Sequence, residues 1–255
     1  MESDSPLADV LNAVAALPSA QAAPESELAG SRPDFHREER KGVPEVILAG
    51  SKTTEQVISI AEAFLTARGR AIISIADSPL QATLAVHFVS DTLEIDPIAQ
   101  MVVVRRAGQA TLATGGRVGI VTAGTSDLGI AGQAAVVARE MGCKVDIVND
   151  VGVAGIHRLF APLKRMLDAG VDVLIVAAGM DGALPSVVSG LVDVPVIGLP
   201  VSTGYGFGGK GVAALMSMLQ TCAPGMAVVN IDNGVGAGAM AGVIANRVAR
   251  ARAAR

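Results

Sequence analysis

The sequence predicts an α/β protein in two parts: a C-terminal three-layer domain built on an open parallel sheet, and a smaller α/β domain before it. Three observations predict it. From Arg117 onward, apolar segments alternate with helical patterns in five βα repeats. Those apolar segments run continuously instead of alternating with polar residues, as strands covered on both faces do. Each of the five is also followed by glycine together with a polar or charged side chain, at the strand ends where open parallel sheets take their ligands.

The elements follow in order. Residues Pro6–Leu17 read as a short helix, and Pro18–Ser31 as a Pro/Ala/Ser/Glu linker without periodicity. Asp34-Phe-His-Arg-Glu-Glu-Arg40 is a dense charge cluster, in itself a solvated helical turn with i,i+4 pairs. Glu45–Ala49 is a strand, and Thr53-Thr-Glu-Gln56 is a capping box for a helix to Ala67. Arg70–Ile75 is a strand, Pro79 sits in the first turn of another helix, and Asp91–Val104 holds one or two short strands. The polar stretch Gly108–Gly116 marks the boundary. Residues 1–33 are therefore expected as a flexible segment, 34–112 as the small domain and 113–255 as the parallel-sheet domain.

In that second domain the strands are Arg117–Thr122, Lys144–Val148, Val173–Ala177, Val194–Leu199 and Met226–Ile231. The helices are Leu128–Met141, Leu159–Ala169, Pro185–Leu191, Gly209–Thr221 and Gly238–Arg252. The strand-end loops are Ala123–Asp127, Asn149–Gly155, Ala178–Gly182, Pro200–Gly211 and Asp232–Gly234.

Composition excludes several classes. Apolar residues make up 51% of 255, enough for a large core, but aromatics are 2%, too few for a base-stacking nucleic-acid platform. The net charge of −4 leaves no basic footprint for nucleic acid. Glycine and charged residues break every apolar run before it reaches a membrane span. Cys143 and Cys222 do not make a disulfide framework, and the acidic opening Met1-Glu-Ser-Asp is unlike a secretory signal, so a cytoplasmic protein is expected. Little charge on so apolar a chain also points to surface buried between subunits.

The densest chemistry lies between Gly198 and Gly234. Gly204-Tyr-Gly-Phe-Gly-Gly209 matches G-x-G-x-x-G between a strand and a helix, and Asp232 stands where a ribose-binding acid would. This is, however, the fourth βα loop of its domain in a chain with 29 glycines. Lys210 gives the loop a P-loop look, but Gly211 stands where Mg²⁺ would need a hydroxyl. Phosphate binding through crowded backbone N–H groups is the reading, without either named fingerprint. Ser202, Thr203, Gly204, Gly206, Gly208, Gly209 and Lys210 are its candidates, with Asn230, Asp232 and Asn233 at the next strand end.

Thr125, Ser126 and Asp127 follow the first strand of the domain. They serve as a helix N-cap and equally to hold a phosphate or ribose hydroxyl. His157 and Arg158 follow the second, with Arg158 suited to phosphate. Asp181, between Met180 and Gly182, is expected to have apolar surroundings that raise its pKa and fit it for proton transfer; a helix cap is the plain alternative. Buried cysteines are usually inert, and Cys143 reads as one. Cys222 sits just past a helix C-terminus, where the dipole disfavours a thiolate. As a nucleophile it needs a nearby cation, either Lys210 or a positively charged substrate ring.

These loops resemble the AIR carboxylase family: Ser126-Asp127 is similar to its Gly-Ser-x-Ser-Asp loop and Ile156-His-Arg158 to its Ser-Ala-His-Arg segment. The fuller resemblance, from Asp34 to Ala249, is to the LarB family of nickel-pincer cofactor biosynthesis. It rests on His36-Arg-Glu-x-Arg-x-Gly-x-Pro-Glu-Val46, Gly119–Asp127, Asp150–Arg158, Gly179-Met-Asp-Gly-Ala-Leu-Pro-Ser186, Pro200–Gly209, Cys222-Ala-Pro-Gly and Val229–Gly234. Ordinary AIR carboxylases lack the N-terminal unit and the Cys-Ala-Pro-Gly segment.

The resemblance implies a flavodoxin-like C-terminal domain and a homo-octamer. It implies a carboxylase and hydrolase that adds CO2 to the pyridinium ring of nicotinic acid adenine dinucleotide and splits the phosphoanhydride, releasing AMP. Cys222 matches the cysteine that attacks the ring, with Asp181 and His157 as the other catalytic candidates; Asp181 stands where the family usually carries Glu, one methylene longer. Arg37, Glu38 and Arg40 fall in the matched N-terminal motif and are expected to meet the dinucleotide. Mg²⁺ at the anhydride is compatible with this chemistry, no ligand spacing identifies a metal site, and no tightly bound cofactor is expected. Two other readings stay open: an AIR carboxylase or mutase, for which Cys222 is dispensable, and a dinucleotide-binding protein without turnover.

Overall fold

The computed structural model describes residues 31–254. The helix expected over Pro6–Leu17 and the linker as far as residue 30 lie outside the described residues.

The small domain begins with α1 (Arg37–Lys41), β1 (Ile47–Leu48) and α2 (Thr54–Arg68), then β2 (Arg70–Ser74) and α3 (Ser78–His87), and closes with β3 (Thr92–Asp96) and β4 (Met101–Arg105). The capping box forms as read: the Gln56 N–H donates to Thr53 Oγ1 at 3.3 Å and the Thr53 N–H to Gln56 Oε1 at 3.0 Å. Asp77 caps α3 by accepting the Leu80 N–H at 3.0 Å. The sheet order is β1-β2-β4-β3, with β1 parallel to β2 and the other pairs antiparallel. β1 is shorter than expected because the chain turns into a 3₁₀ turn at Ala49–Ser51. One sheet face packs under α2 and α3 through Ile47, Ile73, Val102 and Val104.

The second domain runs β5 (Arg117–Thr122), α4 (Leu128–Glu140), β6 (Lys144–Val148), α5 (His157–Asp168), β7 (Val173–Ala178) and α6 (Ala183–Ser189), then β8 (Val196–Pro200), α7 (Val212–Leu219), β9 (Met226–Val228) and α8 (Gly234–Ala253). Its sheet is wholly parallel in the order β6-β5-β7-β8-β9, so the order reverses between β5 and β7, the switch point of a flavodoxin-like sheet. β7 and β8 are buried along their whole length, as the continuous apolar pattern requires. α4 and α8 cover one face, with Ala134, Ala138, Ala237, Ala241 and Ala245 against Ile120, Ile175 and Ile197. α5, α6 and α7 cover the other, with Leu159, Leu163, Leu184 and Met218 against Val121, Leu174 and Val176.

Two helix starts and one strand end differ from expectation, each for a local reason. α7 begins at Val212 because Lys210 and Gly211 both hold left-handed φ, 59° and 77°. α8 begins at Gly234 because Asn233 Oδ1 accepts the Gly236 N–H at 2.8 Å and caps it there. β9 stops at Val228 because Asn230 Oδ1 takes the Ile231 N–H at 2.9 Å and Asp232 turns with φ 57°.

The two domains share a core. The second face of the small sheet, Ile72, Met101 and Val103 with Ala99 of the hairpin tip, lies on Val137 of α4 and Met141 just past its end, joined by Val235, Ala239 and Val243 of α8. At the C-terminus of α4, Glu140 reaches across to Arg70, at 3.2 Å, and to Arg105.

Candidate active site

The loops at the carboxyl ends of the parallel strands are tied to one another through short polar contacts. Asp127 is the centre of these. It ends a 3₁₀ turn, Thr125–Asp127, between β5 and α4. Its Oδ2 accepts the Gly124 N–H at 2.8 Å, and its Oδ1 accepts the Thr203 hydroxyl at 3.0 Å. Thr203 belongs to the loop after β8, and its carbonyl takes the Met180 N–H, at 2.9 Å, from the loop after β7. One carboxylate thus links three loops across the switch point. Asp127 is only 2% exposed. Burial pushes its carboxyl above the usual aspartate range, against the lowering pull of the Gly124 and Thr203 donors. Thr125 and Ser126, before it, are exposed and free to meet a ligand.

Beside them, Asp150 and Arg158 form an ion pair at 2.8 Å in the loop after β6. The Asp150 N–H donates to Thr122 Oγ1 at 3.1 Å, and Thr122 Oγ1 donates to Asn149 Oδ1 at 3.3 Å. His157 opens α5 and is exposed next to Arg158. In the loop after β8, the Ser202 N–H donates to Asp232 Oδ1 at 2.8 Å, while the Asp232 N–H donates to the Pro200 carbonyl at 2.9 Å. Asp232 is therefore a strut between two loops, with Asn230 and Asn233 beside it. Gly204, Gly206, Gly208, Gly209 and Lys210 complete the loop, and Gly204, Gly206 and Lys210 are exposed.

Backbone strain gathers here as well. Among the described residues, the non-glycine residues with left-handed φ are Ile75, Gln100, Asp150, Met180, Lys210 and Asp232. The last four all lie in these loops. Such conformations cost about 1–3 kcal/mol each and cluster at ligand sites.

Asp181 corrects one expectation. Both it and Met180 are exposed, so apolar neighbours do not enclose it within one chain. Its Oδ1 accepts the Ala183 N–H only at 3.4 Å, a weak cap for α6. The carboxylate desolvated at this edge is Asp127 instead.

Two groups of sequence candidates are not brought to these loops within one chain. Cys222 lies between α7 and β9, at the amino edge of the sheet, where the Val196 N–H meets the Gly225 carbonyl at 3.0 Å. Five residues of β8 separate that edge from the site loops, about 15 Å at strand rise. The Cys222 thiol is free and exposed. Lys210 is at the far end of α7 from it. Cys143, by contrast, is buried, and burial pushes its thiol up to about 11, which leaves it inert.

Arg37, Glu38 and Arg40 are also elsewhere. Arg37 pairs with Glu45 at 2.6 Å and with Asp34, Arg40 pairs with Asp34, and Glu38 pairs with Arg70 at 2.6 Å. Arg70 in turn meets Glu140 at the C-terminus of α4. The whole length of that 13-residue helix, roughly 18–20 Å, lies between this network and Asp127.

Sequence reasoning missed the Thr122–Asn149–Asp150 hydrogen bonds. The signal available was Asn149-Asp150 closing a strand, the same pattern as Asn230 to Asn233, which it did single out. Among the described residues no group of three or more His, Cys, Asp or Glu is placed to hold a metal ion. No helix among them is long and apolar enough to cross a membrane.

Comparison with known proteins divides the chain at the same place as the fold. Residues 117–254 match the AIR carboxylase family, and residues 26–106 match the LarB/PurE-like N-terminal domain. An uncharacterized protein of Methanocaldococcus jannaschii is 40% identical over 215 residues, covering 83% of this chain and 82% of its own. The N5-carboxyaminoimidazole ribonucleotide mutase of Thermotoga maritima is 34% identical over 131 residues, covering 50% of this chain and 74% of its own. That of Mycobacterium tuberculosis is 31% identical over 136 residues, covering 52% and 72%.

Proposed function

Since this chain belongs to the AIR carboxylase family, in the form that carries a LarB/PurE-like N-terminal domain, we propose that it carboxylates the pyridinium ring of nicotinic acid adenine dinucleotide with CO2 and hydrolyses the phosphoanhydride, releasing AMP and the dicarboxylated pyridinium mononucleotide. The observation that carries this reading is the state of the two cysteines: Cys143 is sealed in the core, while Cys222, in the turn Cys222-Ala-Pro-Gly225, is an exposed free thiol.

The chemistry follows from the charge of the substrate. A cationic ring attracts a thiolate that the helix end alone disfavours, and it accepts the sulfur's electron pair. Addition of Cys222 Sγ interrupts aromaticity and leaves the adjoining ring carbon enamine-like. That carbon attacks CO2 and forms the new C–C bond. A base, for which Asp181 is the candidate, then removes the proton from the carboxylated carbon. The C–S electron pair returns to sulfur as aromaticity is restored. Water cleaves the anhydride in a separate step, placing one phosphate on AMP and one on the pyridinium nucleotide. Ser126, Arg158 and the Gly204–Lys210 backbone are the groups suited to hold those phosphates.

Because Cys222 and the carboxyl-edge loops stand at opposite edges of one sheet, this reading requires Cys222 to reach the loops of a second copy. The reaction is thus tied to a homo-oligomer, an octamer on the family's pattern, in which sites form between chains. A second reading, an AIR carboxylase or mutase, is favoured by the 34% identity to a ribonucleotide mutase over 131 residues, half of this chain. Simple dinucleotide binding is the third.

One experiment separates them. Protein given the dinucleotide and CO2 is followed by mass spectrometry, beside Cys222→Ala. The expected result is AMP and the dicarboxylated mononucleotide from the native protein and no carboxylated product from the variant. Native protein that yields neither product defeats this reading. Turnover of aminoimidazole ribonucleotide unaffected by Cys222→Ala establishes the second, and binding without products the third.

A further inference from the structure

We propose that the carboxyl end of the small domain's β1–α2–β2 unit is a second nucleotide subsite, which takes the adenosine half of the dinucleotide while its pyridinium half lies in the loops of the parallel sheet. This rests on the function proposed above and assigns the second half of that substrate to residues outside the family's shared domain.

Topology supplies the first ground. β1 and β2 are parallel and joined by a helix, so they form a βαβ unit whose carboxyl ends open into the turns Ala49–Ser51 and Ile75–Asp77. Ligands meet parallel strands at that end. The neighbouring β3–β4 hairpin fixes where this end faces. The Ala76 N–H donates to the Gln100 carbonyl at 2.9 Å, so the hairpin tip, residues 97–100, lies beside the end of β2. The same tip sits on the first turns of α4. A side chain at Gly129 would begin 2.9 Å from the Ile98 carbonyl oxygen, and one at Gly132 would begin 2.8 Å from the Ala99 methyl. Gln133 Nε2 donates to the Ala99 carbonyl at 3.4 Å. α4 starts one residue after Asp127, and Arg70 at the start of β2 meets Glu140 at the other end of α4, so the carboxyl ends of β2 and of the parallel sheet adjoin and face the same way.

The surface there suits a base. Leu48, Ile75 and Ile98 are 49%, 44% and 66% exposed, large apolar side chains at the end of β1, the end of β2 and the hairpin tip. Lys52 adds one cation to this apolar rim: its Nζ donates to the Leu48 carbonyl at 2.8 Å. Apolar walls with few placed polar groups are what small-ligand sites present. The backbone agrees. Ile75 and Gln100 hold φ of 55° and 53°, and for a β-branched residue such as Ile75 that conformation is an outlier. Ile75 follows β2 and Gln100 sits in the hairpin tip beside it, while Asp150, Met180, Lys210 and Asp232 lie in the loops of the parallel sheet. Finally, the ribonucleotide mutase of Thermotoga maritima, named for a mononucleotide, matches 131 residues, half of this chain, whereas the chain here carries an added N-terminal domain and a substrate proposed to have two nucleotides.

The test is isothermal titration calorimetry of the full chain and of Ile98→Asp with three probes: the dinucleotide, nicotinic acid mononucleotide and AMP. Light scattering is run on both proteins. The expected result is that Ile98→Asp weakens AMP and the dinucleotide by about tenfold or more, leaves the mononucleotide within about twofold, and keeps the native mass. AMP affinity unchanged by the variant, or no AMP binding by the native protein, overturns the subsite. A change of oligomeric mass with AMP binding intact overturns it too, and assigns the rim to contact between copies. Failure of the functional reading looks different: the native protein then binds neither the dinucleotide nor the mononucleotide.

Discussion

Two carboxylates at opposite ends of α4 are both withdrawn from water, yet they are solved in different ways. Asp127, just before the helix, is 2% exposed, and Glu140, at its last residue, is 4% exposed. Burial raises both pKa values from their ordinary range. Glu140 answers it with two guanidinium groups, Arg70 and Arg105, each nearly buried itself. Asp127 is met by a backbone N–H and a hydroxyl. A buried carboxylate between two arginines is a joint: it fixes the small domain against the helix. A buried carboxylate held by neutral donors among loops that face solvent keeps its loops in place and leaves charge uncompensated at the edge where a cationic ring is expected to bind.

The largest effect that would test this contrast is on stability. Glu140→Leu leaves Arg70 and Arg105 without their shared partner. Breaking a buried pair costs about 3–5 kcal/mol because the remaining charge stays buried. Here the loss belongs near the lower end, since Glu38 still meets Arg70 at 2.6 Å and Glu94 still meets Arg105 at 2.7 Å from their exposed sides. Urea denaturation would measure it. A change of only a few tenths of a kcal/mol would mean the small domain is held by its apolar face alone, through Ile72, Met101, Val137 and Met141.

Asp127 predicts a smaller stability effect and a signed pH dependence. Its folded pKa is raised, so its contribution is fully present below the ordinary aspartate pKa and is lost as pH rises through the folded value. Asp127→Asn keeps the shape: its amide oxygen can accept the Gly124 N–H, and its NH₂ can donate to Thr203. The variant should therefore be nearly as stable as the native protein at low pH and relatively more stable above it. Thermal melts across pH 3 to 7 would show this as a flatter slope of stability with pH. A steeper slope for the variant would reverse the assignment of Asp127 as the strained carboxylate. Carboxylation should fall by more than the change in stability explains, because the charge at the ligand edge is gone.

How much of this was legible in the sequence varies with the distance over which each feature is decided. The Thr53–Gln56 box, Pro79 in the first turn of its helix and the strands Arg117–Thr122 and Lys144–Val148 are local, and they form as read. The five Gly-bearing loops were legible because strand direction in a βα repeat places all of them on one edge. The same rule carried the news about Cys222: a segment between a helix and the next strand falls on the opposite edge, so one chain cannot bring that thiol to those loops. Helix starts at Val212 and Gly234 were not legible, because they depend on left-handed φ at Lys210 and Gly211 and on the side-chain bond of Asn233. Glu140 was invisible for a larger reason. Its partners stand 35 and 70 residues away, on a domain whose docking no local pattern encodes. Arg37, Glu38 and Arg40 were assigned to the ligand by resemblance, and the docked domain gives them other partners.

The smallest predicted effect tests how the loop clamp is divided between charge and contact. Thr203→Val removes the hydroxyl from Asp127 Oδ1 while keeping the β-branched shape. Thr203 is half-buried, so water can replace the lost donor, and the cost should be about 1 kcal/mol or less. The backbone bond from the Met180 N–H to the Thr203 carbonyl survives, so the loops after β7 and β8 stay joined. What changes is Asp127 itself: with one donor fewer its pKa should rise further, and the pH slope of stability should steepen where Asp127→Asn flattens it. Combining the two substitutions supplies the control. In the double variant the slope should match that of Asp127→Asn alone, because valine then has no carboxylate to act on. A double variant that still shows the steeper slope would trace it to another titrating group and separate Thr203 from Asp127.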